Sequence, residues 1–148
     1  SAETVVPVPP ATTATNPEPP MSTPPTTPRE IFVFGSNREG RHGAGAAKYA
    51  LDHYGAIYGK AEGLQGSSYA IVTKELRHDK PVVTLAEVAA GIGRFLEFAH
   101  DNPHLTFNVT PIGCGLAGFD PWAVAPFFTG HTPNIRLPDV FRRVLGSN

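Results

Sequence analysis

The sequence predicts an α/β fold in which helices layer against a largely parallel sheet. Two observations predict it. Short apolar runs of strand character alternate along the chain with segments of helical character. Two of those runs also end directly in glycine-rich loops, as strands of an open parallel sheet do where they hand over to helices.

Residues 31–34, Ile-Phe-Val-Phe, form a continuous apolar run, the pattern of a strand buried on both faces. After a glycine-rich turn, residues 46–53 are alanine-rich and stop before Gly55, so a helix is expected. Residues 59–68 read as a loop, residues 69–73 (YAIVT) as a second strand, and KELRHDKP as a polar connection. Thr84 opens the clearest helix. Thr84-x-x-Glu87 is a capping box, and Leu85, Val88, Ala89, Ile92, Leu96 and Ala99 follow at helical spacing. Gly91 and Gly93 interrupt it and suggest close packing on the sheet. Residues 107–112 are a third strand running into GCGLAGFD, and Pro121 suits the first turn of a short helix through Ala125. Residues 134–137 read as a last strand and 138–145 as a last helix. No internal repeat is visible.

The chain has 148 residues, which suits a single domain. Residues 1–29 are a different material, with nine of the chain's sixteen prolines and seven threonines. Proline fixes φ and removes a backbone donor, so a disordered or polyproline-II-like tail is expected there. Such a tail is either plain linker or a recognition segment. Met21 is the only methionine, which makes it a candidate natural start. Residues 30–148 are the expected folded domain. A formal net charge of -1 gives the whole protein no general attraction to nucleic acid or anionic lipid. One cysteine excludes an intramolecular disulfide, and the six histidines do not cluster with carboxylates at metal-ligand spacing. No metal or cofactor is expected. No apolar run reaches the length of a membrane span and no signal-peptide pattern opens the chain, so a cytoplasmic location is expected.

The chemistry concentrates in the two loops. The first runs from Gly35, Ser36 and Asn37 to Gly43, Ala44, Gly45 and Ala46. The second contains Gly113, Cys114, Gly115, Leu116, Ala117 and Gly118, followed by Phe119. Glycines let backbone N–H groups approach an anion, and the N-terminus of a following helix adds a favourable dipole. Two such loops at equivalent strand ends suit a pyrophosphate and its ribose, clasped from both sides.

In order and spacing, GSN…GAGAAKYA, then YAIVTK, then a helix, then FNVTPIGCGLAGFDPW resembles the macrodomain pattern across residues 32 to about 122. The resemblance implies a three-layer α/β/α sandwich that binds ADP-ribose, free or attached to a macromolecule. It places Asn37 at the distal ribose and Gly43, Ala44, Gly45 and Ala46 along that ribose and the nearer phosphate. It wraps Gly113 to Gly118 around the diphosphate and packs Phe119 on the distal ribose. The chain also departs from the family. Only the proline-rich tail precedes Ile31, so no adenine-reading Asp can be assigned and a trimmed variant is implied. Leu51, Asp52 and His53 fall where some hydrolytic members carry a Lys, and Ala117 where they carry an Asp.

A water-based hydrolysis remains open in the sequence: Asn37 positions the ribose while Asp120 or His42 activates a water at the anomeric carbon. Each residue has a plainer reading. Asp120 before Pro121 is a natural N-cap, His42 a solvated loop residue, and Asn37 a turn former. Lys74 and Arg77 read as a solvated patch or as phosphate contacts. Cys114 is either a small apolar filler or, near a helix N-terminus that lowers its pKa, a nucleophile served by His42, His53 or His78. A third class, a non-catalytic interaction module working through the tail, also stands.

Overall fold

The computed structural model describes residues 29–115 and 117–146. The expected tail therefore lies outside the described residues, apart from Arg29. The strands are β1 (Arg29–Asn37), β2 (Gly63–Gln65), β3 (Ser68–Lys74), β4 (Leu105–Val109) and β5 (Ile135–Arg136). The helices are α1 (Gly45–His53), α2 (Leu85–His100), α3 (Pro121–Val124), continued as a 3₁₀ turn over Ala125–Phe128, and α4 (Asp139–Leu145). The strands form one mixed sheet in the order β2-β3-β1-β4-β5. Only the β2–β3 pair is antiparallel.

β1 lies at the centre because it is apolar on both sides. Ile31 and Val33 join one core cluster and Phe34 the other, and all three are fully buried. The smaller cluster sets Ala47 and Ala50 of α1 against Phe34 and Ala70, where small residues let the helix approach closely. The larger cluster joins Val88, Ile92, Phe95 and Ala99 of α2 to Ile71 and Phe107, with Val124, Phe128 and Phe141 from the C-terminal helices.

The capping box at Thr84 forms as the sequence predicts: Glu87 N–H donates to Thr84 Oγ1 at 3.2 Å, and Thr84 N–H donates to Glu87 Oε1 at 2.8 Å. Of the two glycines in α2, only Gly91 marks close packing; a Cβ there would sit 3.3 Å from Ile71 Cγ2, whereas Gly93 faces open space. β2 falls within the segment read as a loop. Three residues are too few to show an alternating pattern, and pairing with β3 is what makes them a strand.

The connections place a crevice at one edge of the sheet. The chain leaving β1 enters α1, which packs on one core, whereas the chains leaving β3 and β4 enter helices of the other core. The carboxyl end of β1 is thus a switch point, and the loops there part to leave a crevice.

Candidate functional site

A cleft of about 620 Å³ opens at that switch point. Its floor is the ends of the three central strands. Thr73 Oγ1 donates to Ser36 C=O at 3.2 Å and Thr110 Oγ1 to Val33 C=O at 2.8 Å, while Ser36 Oγ donates to Ala61 C=O. These hydroxyls are committed to backbone, so they brace the floor. Gly35 has no room for a side chain of normal reach: a Cβ would meet Thr73 Oγ1 at 3.1 Å.

The first loop is folded by its own polar residues. Asn37 pairs with the backbone of Arg41 in both directions, Nδ2 donating to its carbonyl and Oδ1 accepting its N–H, each at 2.8 Å. Gly40, at φ +69, lies so close to Gly59 that a Cβ would come within 2.5 Å of the Gly59 carbonyl carbon. Gly59 N–H closes that contact by donating to Gly40 C=O at 2.8 Å. The loop then delivers Gly43, Ala44, Gly45, Ala46 and Ala47 to the cleft.

Ala44, the N-cap of α1, is extended and offers no side-chain cap. The first turn of a helix has no internal acceptor for its N–H groups, so this end presents bare donors and the positive end of the helix dipole. Arg41 and Lys74 line the same cleft, and among the described residues no carboxylate does. The field there favours an anion.

The second loop lends less backbone than expected. Cys114 N–H donates to Pro111 C=O at 3.2 Å, Gly118 N–H to Gly115 C=O at 3.0 Å and Phe119 N–H to Gly113 C=O at 2.7 Å. Those three donors are used within the loop. Gly113, Gly115 and Ala117 line the cleft, but Cys114, Gly118 and Phe119 do not. Phe119 packs on the larger core instead, and Leu116 lies outside the described residues. Gly113, at φ +75, admits the Phe119 ring, which would stand 3.3 Å from a Cβ.

The candidates for water activation are elsewhere. His42 is neither solvated nor in the cleft: it is fully buried, edge-on to Phe34, with Nε2 at 3.1 Å from both Lys60 C=O and Gln65 Oε1. Asp120 is exposed and caps α3, accepting Trp122 N–H at 2.8 Å. It is absent from the lining. Burial, aided by the charge of Asp120, pushes the Cys114 thiol up rather than down, and the thiol donates to Ile112 C=O at 3.5 Å. Lys48 pairs with Asp52 at 2.9 Å on the exposed side of α1.

An ionic cluster braces the wall beside β3. Arg38 meets Glu75 at 3.0 Å and Glu87 at 2.9 Å, and Arg77 meets Glu39 at 2.7 Å and Glu75 at 2.9 Å. The Glu75 side chain is only 1% exposed, and the bonds from Arg77, then Arg38, hold its carboxyl far below the usual carboxylate range. Arg77 thus belongs to this brace, whereas Lys74 lines the cleft.

Arg41, Tyr58, Leu76 and Pro111 line the cleft without having stood out in the sequence. Arg41 carried a signal, a cation inside a glycine-rich loop; Tyr58 carried none. Among the described residues, no three His, Cys, Asp or Glu are placed to hold a metal, and no helix is long and apolar enough to cross a membrane. No protein-family model matches the chain, and no curated protein matches it either.

Proposed function

We propose that this chain binds ADP-ribose, or a related NAD-derived nucleotide, in the cleft at the end of β1, on a three-layer α/β/α scaffold of macrodomain type. One observation carries the reading: the uncapped N-terminus of α1 shares a cleft with Arg41 and Lys74, with no carboxylate among its described lining residues. A diphosphate meets bare N–H donors, a helix dipole and two cations there. The resemblance between the two glycine-rich loops and the macrodomain pattern then supplies the identity of the nucleotide. Asn37 contributes mainly as the shaper of the first loop, since both ends of its amide bond Arg41.

Binding is favoured over hydrolysis. Among the described lining residues the ionisable side chains are Arg41, Lys74 and Tyr58, and none is a carboxylate or imidazole suited to activate water at neutral pH. The cysteine-nucleophile reading loses support with a thiol pushed up by burial and set outside the lining.

Calorimetric titration of ADP-ribose into the purified protein tests the reading, with AMP and NAD alongside. Gly43→Glu is the blocked-site control, because Gly43 lines the cleft, leaves open space around an added Cβ and, unlike Gly45 at φ +59, does not hold the left-handed conformation that strains other residues. The expected result is saturable binding that Gly43→Glu abolishes while circular dichroism stays unchanged. Absence of binding to well-folded wild type would refute the reading.

A further inference from the structure

We propose that Tyr58 reads the base of the ligand, its ring stacking on a planar heterocycle attached to the phosphate-bearing part. The inference rests on the nucleotide reading above and adds the residue that selects for a base. Tyr58 lines the cleft yet is 60% exposed. Isolated exposed aromatics are common on protein surfaces; what sets this one apart is how firmly its backbone is held.

Tyr58 sits in a turn closed by Lys60 N–H donating to Ile57 C=O at 3.0 Å. The buried amide of Gln65 grips both ends of that turn, accepting Ile57 N–H at 2.8 Å and donating to Lys60 C=O at 3.0 Å. Gly59 N–H ties the turn to the first loop at Gly40. Behind the ring lies His42, edge-on at 6.4 Å between centroids. Oε1 of Gln65 must be the oxygen, since it accepts a backbone N–H; Nε2 of His42 therefore carries the proton and donates to the two acceptors beside it. The backbone under Tyr58 is thus fixed before any ligand arrives, and only two side-chain torsions remain to be ordered on binding.

Phosphate has no use for an exposed aromatic face and ribose offers it only C–H edges, whereas a planar heterocycle covers the whole ring. Leu76, itself 37% exposed, and Pro111 add apolar surface to the same cleft. Adenine and nicotinamide both supply the planar chemistry.

The test is calorimetric titration of ADP-ribose, NAD and ribose 5-phosphate into wild type, Tyr58→Ala and Tyr58→Phe. Tyr58→Ala should weaken nucleotide binding by roughly 5- to 150-fold, the range for loss of one base–aromatic stack. Tyr58→Phe should stay within about twofold of wild type, because stacking needs the ring and not the hydroxyl. Ribose 5-phosphate should bind all three alike. Equal losses for ADP-ribose and NAD assign the stack to adenine; a loss confined to NAD assigns it to nicotinamide. Equal ADP-ribose and NAD affinities in wild type and Tyr58→Ala overturn the stack and leave the cleft reading standing. A phenylalanine variant as weak as the alanine variant also overturns it, in favour of the hydroxyl. A parallel loss for ribose 5-phosphate overturns it in favour of a structural role. If wild type binds none of the three, both proposals fall.

Discussion

Gln65→Ala tests whether one buried amide holds the wall of the cleft. Gln65 is 2% exposed, and its side chain makes four bonds: it accepts from Ile57 N–H and His42 Nε2, and donates to Lys60 C=O and Gly63 C=O at 3.0 and 3.3 Å. Truncation strands Ile57 N–H, whereas His42 and Lys60 C=O still have each other at 3.1 Å. Ile57 is exposed and its bond only part-buried, so the lost partner costs about 1 kcal/mol, the low end for a stranded donor. The emptied space adds about 1–2 kcal/mol, the low end of large-to-small core changes, since a water can enter a polar site of this kind. The sum, about 2–3 kcal/mol, is a large share of the roughly 5–15 kcal/mol that holds an ordinary domain together. Urea denaturation followed by circular dichroism reads it, as a lower midpoint with an unchanged slope. The residual folded protein should also bind ADP-ribose more weakly, because the turn under Tyr58 is no longer gripped. A loss below about 0.5 kcal/mol, the size of an ordinary surface change, would refute the reasoning and show that the turn holds itself.

Thr84→Ala removes the N-cap of α2 and should cost about 0.5–2 kcal/mol, seen as a lower thermal midpoint. Arg41→Ala and Lys74→Ala should each weaken ADP-ribose binding, and the double variant should flatten its dependence on salt; an unchanged salt slope would remove the two cations from the site. Glu75 has its pKa depressed in the folded state, so its contribution to stability is full above the ordinary carboxylate range and is lost as pH falls toward the folded value. The urea midpoint of wild type should therefore drop more steeply below about pH 4.5 than that of Glu75→Gln; parallel curves would contradict this. Cys114→Ala should leave ADP-ribose affinity unchanged, and the wild-type thiol should alkylate slowly at pH 8; rapid alkylation would restore the nucleophile reading.

Much of the architecture was legible because its signals are local. The strand character of β1, the capping box of Thr84 and Glu87 and the apolar spacing of α2 each lie within a few residues of chain, and each forms where the pattern places it. The alternation of strands and helices foretold a largely parallel sheet, and three of its four strand pairs are parallel. β2 escaped notice because Gly63–Gln65 becomes a strand only by pairing with β3. The two glycine-rich loops pointed to the edge of the sheet where the cleft lies, but not to which of their groups face it. Gly43 and Gly45 do, whereas Gly118 turns its N–H into its own loop.

The sequence by itself determined the class of fold, the central place of β1 and the carboxyl edge at which glycine-rich backbone is laid bare. These follow from hydrophobic periodicity and local backbone chemistry, which neighbouring residues settle among themselves. Only the tertiary structure decided the character of individual side chains. His42 became a buried prop through Gln65, 23 residues further along the chain. Cys114 became a packed thiol, and Arg41, Tyr58 and Lys74 three walls of one cleft. The physical reason is that burial, charge partners and hydrogen-bond acceptors reach a side chain from segments remote in sequence, and these fix both its protonation and what it can touch.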